Sequence, residues 1–576
     1  MDLLQDWSPP DRFSLLLALA LATWTVAVRR LPRAPLILGA TVFLSVLVVA
    51  CCSLQFDLVG WHGFMHGAPM LRLLDGGPVP PEDPLFAGGT LRYPWVEHWL
   101  MARLAGATGL NPHLLTIGVE LVAFAGLLAS VAWMARLVVA EAEVVALAVL
   151  FGGFGVSIFH NGFLQQALLR AFPTLSLETR IVPLDKFANI TGMPWGYCAM
   201  ALSSATAVWL ATGERRSARG FAVIAACTAV AAAIHPLSWV GILGFQGIAA
   251  TMLLLSRRRD DVVRAMGIAV AVGLPSLVAL PYLHAIGVSE SSDGWTGITA
   301  PAGLWVNKLQ DLALFLLPLG IAAYTQRRRL QAMLDERNRG LGILLAVVAG
   351  MSAAYLCVRF PGRNEYKFLL FAMPSAAVVM AIAMRELLER QALLAWSLLV
   401  LMLVPGGRIL GTRPWFMVTD PVVRDGQYLR SIDPDADALY QWIARETPGD
   451  AVFVAADLRI PPLARRGLFI AVDAPWRGTD GWGLPRSLLL QWHIRRPDSV
   501  MFRRQQLATV VLDAAWESIP PAEVIAAIRQ EVPGRPLYVH SQNPAAAARL
   551  DQSPGFTREF WNPAGSVYRI GDRPPR

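Results

Sequence analysis

The stretch APLILGATVFLSVLVVACCSLQFDLVGWH, residues 34–62, decides how the chain is read. Residues 34–54 carry no charge, and about 20 apolar residues are what one helix needs to cross a bilayer. A long polar loop, Gln55–Pro112, follows at once, opening with Phe56-Asp57-Leu58-Val59-Gly60-Trp61-His62. It continues through Pro80-Pro81-Glu82-Asp83-Pro84 to Tyr93-Pro94-Trp95-Val96-Glu97-His98. Carboxylates, histidines and aromatics gathered at one membrane face point to chemistry at the lipid–water boundary.

Working outward, the same alternation of apolar runs and short basic loops fills the chain to about residue 408. The 576 residues are 55% hydrophobic and 16% charged, against about a quarter charged in a soluble domain. The sequence therefore predicts a polytopic α-helical membrane protein. Its spans fall near 12–28, 34–54, 113–138, 143–160, 195–212, 219–234, 238–255, 264–286, 306–325, 341–359, 366–384 and 390–406. Pro236 separates the sixth from the seventh, because proline breaks a continuous helix.

The net charge of +8 comes from arginine in the short loops. Arg29, Arg30 and Arg33, then Arg215, Arg216 and Arg219, then Arg257–Arg259, Arg327–Arg329 with Arg337 and Arg339, and Arg385 with Arg390 all fall on one side of twelve spans. The positive-inside rule makes that side cytoplasmic and removes any need for a nucleic-acid partner. The first apolar run has its charges after it, the reverse of a cleavable signal, so it reads as a retained helix. The long loops 55–112, 161–194 and 287–305, the short turn 360–365 and everything after 407 then face outward. All five cysteines lie in or beside apolar spans, which leaves no disulfide framework and no cysteine zinc site to read.

From residue 409 the pattern becomes that of a soluble domain, 409–576, following a membrane module at 1–408. Asp435–Arg445 reads as an amphipathic helix and Ala451–Val454 as a strand. Leu468–Val472, Thr509–Leu512 and Leu537–His540 read as further strands, Pro521–Gln530 as a helix, and Phe560–Ile570 as a hairpin. Strands alternating with helices predict a small extracytoplasmic α/β domain.

Several residues are placed for chemistry. Asp57 stands at the outer end of the second span, where the helix fixes its depth and its oxygens reach an aqueous substrate. His62 and His66 share a helical face, but no His-Glu-x-x-His pattern accompanies them, so polar contacts are favoured over zinc. Glu82 and Asp83 lie in a proline-stiffened turn that can present carboxylates to a ligand or divalent ion. Tyr93, Trp95 and His98 suit a surface helix, and aromatic faces also stack on sugar rings. Asp185 and Lys186 precede a span and offer a second carboxylate and a phosphate contact. Arg363, Glu365 and Lys367 crowd the outer boundary with little loop to hold them, and Lys308 can join them. Cations at that depth suit a lipid-linked phosphate. Trp476 and Trp482 flank a polar turn that can serve as a saccharide platform.

This layout resembles the GT-C superfamily of membrane glycosyltransferases. The resemblance rests on an early outward loop headed by Asp57 and on the Pro-Pro-x-Asp-Pro…Gly…Tyr…His stretch. It rests also on the basic motif ahead of a late span and the outer α/β tail entered through ALYQWIARETPGDAVFV, residues 438–454. It covers most of the chain, although Asp57 lacks the acidic neighbour of the commonest form. It implies that Asp57 is the catalytic carboxylate and Asp185 a second. It implies a sugar on a polyprenyl phosphate as donor, and a glycan, lipid or protein acceptor. The reaction implied is hexosyl or pentosyl transfer at the outer face of a bacterial cytoplasmic membrane, by a single inverting displacement. A divalent cation, Mg or Mn, is the cofactor to consider, with Asp57 and Asp83 as its ligands.

A transporter is the competing class, but transporters place ionisable groups and broken helices at the bilayer midplane. Here those groups collect at one face, which favours an interfacial enzyme. A silent relative acting in envelope assembly is the third reading, kept open by the lone Asp57.

Overall fold

The computed structural model describes Leu19 and residues 66–91, 93–110, 112–157, 183–187, 191–213, 217–286, 297–298, 302–335, 338–359, 365–419, 433–471, 500–516 and 519–571. The chain forms two compact units. One comprises Met1–Ser53, Ile117–Ser289 and Asp293–Thr419; the other comprises Leu54–Thr116, Glu290–Ser292 and Asp420–Arg576.

The first unit is a helical bundle. Helices Pro112–Val138, Ala142–Phe154, Met193–Thr212, Ala218–Ile234, Pro236–Leu255, Arg259–Ala285, Ala302–Thr325, Arg339–Cys357, Lys367–Arg390 and Ala392–Thr419 fall on the ten spans expected after residue 112. Apart from Leu19, the two earlier spans lie outside the described residues. Five described helices are long and apolar enough to cross a membrane, and Ala142–Phe154, Ala218–Ile234 and Ala392–Val404 are shorter apolar ones. Lys367–Arg390 is the centre of the bundle, buried continuously from Phe368 to Met384, as a helix apolar on every face must be. Tyr197 donates to the Leu370 carbonyl at 2.6 Å, pinning Met193–Thr212 to it. Gly241 lets the helix Pro236–Leu255 approach closely, since a Cβ there would meet Phe371 at 2.9 Å.

Pro236 occupies the first turn of its helix, so Ala218–Ile234 and Pro236–Leu255 are separate, as the sequence predicts. At the arginine-rich helix ends, Arg329 reaches Glu141 at 3.0 Å and Glu386 at 2.7 Å, and Arg385 reaches Glu143 at 3.2 Å. Arg339 and Arg264 share Asp261 at 2.9 and 3.2 Å. Arginines from separate connections thus meet common carboxylates, as loops on one face of a bundle do.

The second unit is built on a five-stranded mixed sheet. Its strands are β1 (Val452–Ala455), β2 (Gly467–Leu468), β3 (Leu537–Ser541), β4 (Phe556–Asn562) and β5 (Gly565–Ile570), in the order β2-β1-β3-β5-β4. β1 runs parallel to β2 and β3, whereas β5 is antiparallel to both its neighbours. Helices Pro434–Glu446, Val500–Asp513, Pro521–Glu531 and Pro544–Asp551 supply the rest of the core. The run Thr509–Leu512, read above as a strand, lies in the helix Val500–Asp513. Short β-branched apolar runs fit either element, and here Ala508 and Val511 present a helical stripe to the core. Of the strand expected at 468–472, Leu468 pairs in the sheet and the Phe469 N–H donates to Phe453 O at 2.8 Å, while residue 472 lies outside the described residues.

The early loop belongs to this second unit. Ala87 N–H donates to Leu468 O at 2.8 Å, Leu468 N–H to Pro84 O at 2.9 Å, and Ala471 N–H to Leu85 O at 2.9 Å. Residues 84–87 therefore cover the chain along β2, whose backbone groups need partners when buried. Glu82 locks the arrangement: Arg72 pairs with its Oε2 at 2.9 Å, while the Gly88 N–H, at 2.7 Å, and Arg535 both donate to its Oε1. Burial raises the Glu82 pKa, but Arg72, Gly88 and Arg535 together outweigh it and hold the carboxyl below its ordinary range. Arg504 donates to the carbonyls of Ala87, Phe469 and Glu531 and lies under the Phe86 ring at 4.3 Å. Removing one member of a largely buried ion pair strands the others. Glu82→Ala is thus expected to destabilise this unit by about 3 kcal/mol, measured by denaturant unfolding of the full chain. A purely ligand-binding Glu82 would leave that stability unchanged.

Candidate functional site

Two constellations gather the chemistry-bearing side chains, one within each unit. In the second unit, His66 lies one residue before Gly67, the N-cap of the helix Ala68–Leu74, and Glu97 and His98 stand in the first turn of the helix Val96–Thr108. The entry Tyr93-Pro94-Trp95 sets the start of that helix, and Gly109 closes it in the left-handed conformation. Glu97 suits a first turn, where the helix dipole favours an anion. His66 Nδ1 lies 2.9 Å from His98 Nε2, and the two rings stack with centroids 5.1 Å apart. Tyr93 sets its ring edge against His66 at 5.4 Å. All three ionisable groups are buried, His66 and His98 to 1% exposure and Glu97 to 4%. Burial lowers the His98 pKa to about 4 and raises that of Glu97 to about 8. One oxygen or nitrogen from each lies within 4.8 Å of the other two, a donor set able to hold a metal ion.

In the first unit, the ends of three elements bring cations together. Lys186 ends the short helix Pro183–Lys186, Lys367 begins the central helix, and His235 caps Pro236–Leu255. Lys186 Nζ stands 5.2 Å from the Tyr366 ring centroid and acts electrostatically on Lys367. Lys367 Nζ is 3.5 Å from His235 Nε2. His235 Nδ1 accepts the Ser238 N–H at 3.1 Å, completing the N-cap. That bond places the proton of neutral His235 on Nε2, because only the unprotonated ring nitrogen accepts. Nε2–H and the Lys367 ammonium are then two donors facing one place, with nothing to offer each other. Among the described residues no carboxylate pairs with Lys367. The arrangement can accept an anion.

The remaining sequence candidates divide clearly. Lys308 donates to the carbonyls of Tyr355 and Val358, both at 2.9 Å, and pairs with Glu365 at 3.6 Å. Lys308 and Glu365 are therefore brought together, closing the end of the helix Arg339–Cys357. Asp83 accepts the Leu85 N–H at 2.8 Å, with a pKa raised by burial to about 6, beside the ion-paired Glu82. Tyr93 and His98 join the histidine cluster. Asp185 lies in Pro183–Lys186, one residue before Lys186. Asp57, His62, Arg363, Trp476 and Trp482 lie outside the described residues. His235 and Glu97 are site residues that the sequence alone does not single out. A histidine directly before a helix-starting proline was the available signal for the first. Nothing local marks the second, because its partner His66 is 31 residues earlier.

No family model matches the chain, and no curated protein matches it by sequence. Among solved structures it is similar to the arabinofuranosyltransferase AftD from Mycobacteria, with 14% identity and a TM-score of 0.56 over 94% of this chain and 40% of that one. Similarity extends to ArnT from Cupriavidus metallidurans bound to undecaprenyl phosphate, at 12% identity and TM-score 0.49, covering 94% and 98% of the two chains. The Archaeoglobus fulgidus oligosaccharyltransferase, tethered with an acceptor peptide, gives 10% identity and TM-score 0.41 over 92% and 74%. The likeness to AftD establishes the architecture: this is a polytopic membrane protein with the GT-C fold and a small mixed sheet near its C-terminus.

Proposed function

We propose that the chain transfers a sugar from a polyprenyl-phosphate donor to an acceptor hydroxyl on the extracytoplasmic side of a bacterial cytoplasmic membrane. The observation that carries this reading is Lys367, a cation at a helix start with no carboxylate partner among the described residues, facing the donor Nε2–H of His235. A half-buried charge gains from a partner, and a phosphate supplies several acceptor oxygens at once. The GT-C fold adds support, since AftD is by its name a glycosyltransferase, although fold alone does not assign chemistry.

In this scheme Lys367, His235 and Lys186 hold the donor phosphate, with Arg363 four residues before Lys367. Lys308 keeps the neighbouring helix end in place through its carbonyl contacts. Asp57 takes the proton of the acceptor hydroxyl as that oxygen forms its bond to the anomeric carbon. The bond from that carbon to the phosphate oxygen breaks, and its electron pair leaves with the lipid phosphate, which the cations stabilise. Asp185 is the second carboxylate. The domain 409–576, with Trp476 and Trp482, faces outward and meets the acceptor.

The test is phosphate-dependent binding by the full-length protein in nanodiscs. Polyprenyl phosphate is expected to bind at least about tenfold more tightly than the corresponding alcohol, the gain of one charge-assisted hydrogen bond. Equal binding of the two lipids would remove the basis of the reading.

A further inference from the structure

We infer that His66, Glu97 and His98 form a binding site for a zinc-class divalent cation, with two imidazole nitrogens and one carboxylate oxygen as ligands. The three groups come from the starts of two helices, and their donor atoms lie within 4.8 Å of one another. A tetrahedral ion with Zn–N bonds of about 2.0–2.1 Å separates its ligand atoms by about 3.3 Å. His66 Nδ1 and His98 Nε2 are 2.9 Å apart, so a few tenths of an ångström of ring movement admits the ion between them.

Burial supplies the second argument. Glu97 is 4% exposed. A carboxyl in that position is costly without a partner, and a cation bound by His66 and His98 is the partner nearest to hand. Tyr93, edge-on to His66, adds a wall that fixes the ring for ligation. The donor set also selects among ions. Magnesium and calcium prefer oxygen-only shells, whereas two imidazoles with one carboxylate suit zinc and its neighbours. This differs from the Mg or Mn with Asp57 and Asp83 expected from sequence. Three protein ligands leave a fourth position for water or an anion. The competing arrangement is a shared-proton cluster, with an N–H···N bond between the imidazoles and a protonated Glu97. Metal binding by these residues requires nothing of the transferase reading.

The experiment uses full-length protein without a polyhistidine tag, dialysed against chelator and titrated with Co2+ and then Zn2+. One Co2+ per chain is expected, with the strong visible absorption of four-coordinate cobalt, displaced by an equivalent of Zn2+. Glu97→Gln and His98→Ala are each expected to weaken Zn2+ binding by at least about tenfold, as loss of even an outer-shell partner does, without changing polyprenyl-phosphate binding. Cobalt that keeps the weak six-coordinate spectrum of the free ion would overturn the inference, as would undiminished Zn2+ affinity in both variants. If either variant does not fold, the wild-type cobalt spectrum decides.

Discussion

Lys367→Met is expected to lower the affinity for polyprenyl phosphate by about a hundredfold, with Lys367→Arg keeping most of it. A hydrogen bond to a charged group is worth about 1.5–3 kcal/mol, and every 1.4 kcal/mol is about tenfold in affinity. Lys367 is half-buried, and a phosphate there would lose its contact with Nζ altogether. The isosteric loss leaves the His235 N-cap intact, because that contact runs through Nδ1 to Ser238 and not through Lys367. Thermal stability should therefore be unchanged or higher, since a cation without a carboxylate partner has been removed. Calorimetric or fluorescence titration in nanodiscs checks both parts. Unchanged affinity in a folded Lys367→Met protein would show that the anion binds elsewhere.

Asp57→Asn is expected to reduce sugar transfer by about 10²–10⁴-fold, the usual contribution of a positioned general base. Donor affinity should stay within about twofold, because the base acts on the acceptor hydroxyl while the cations of the first unit hold the phosphate. The comparison is made by single-turnover transfer from a radiolabelled lipid-linked sugar, with binding measured on the same preparation. Full activity in Asp57→Asn would move the base to another carboxylate, Asp185 first. Falling affinity with unchanged turnover would make Asp57 a donor-binding group.

How much of this was legible in the sequence depends on how far apart the cooperating residues lie. The described helices of the bundle were readable because each is a local apolar run, and Pro236 marks its own helix start. The C-terminal domain was readable where periodicity was strong, as in Pro434–Glu446 and Leu537–Ser541. It failed at Thr509–Leu512, where a threonine and three apolar residues fit a strand equally well and packing of the whole helix decided. The docking of residues 84–87 along Leu468 and Ala471 joins segments nearly four hundred residues apart, and no local pattern encodes such pairing. The site divides in the same way. Lys367 and Asp185 stand out because charges beside a span are conspicuous. His235 was hidden by its structural role as a cap. The trio His66, Glu97 and His98 exists only once two helices pack.

The most direct test of the central claim is a structure of the full-length protein with a polyprenyl-phosphate analogue bound. The account predicts the phosphate in hydrogen-bond contact with Lys367 Nζ and His235 Nε2, with Lys186 completing the cationic wall. A phosphate bound away from all three, with Lys367 and His235 arranged as they are now, would contradict it.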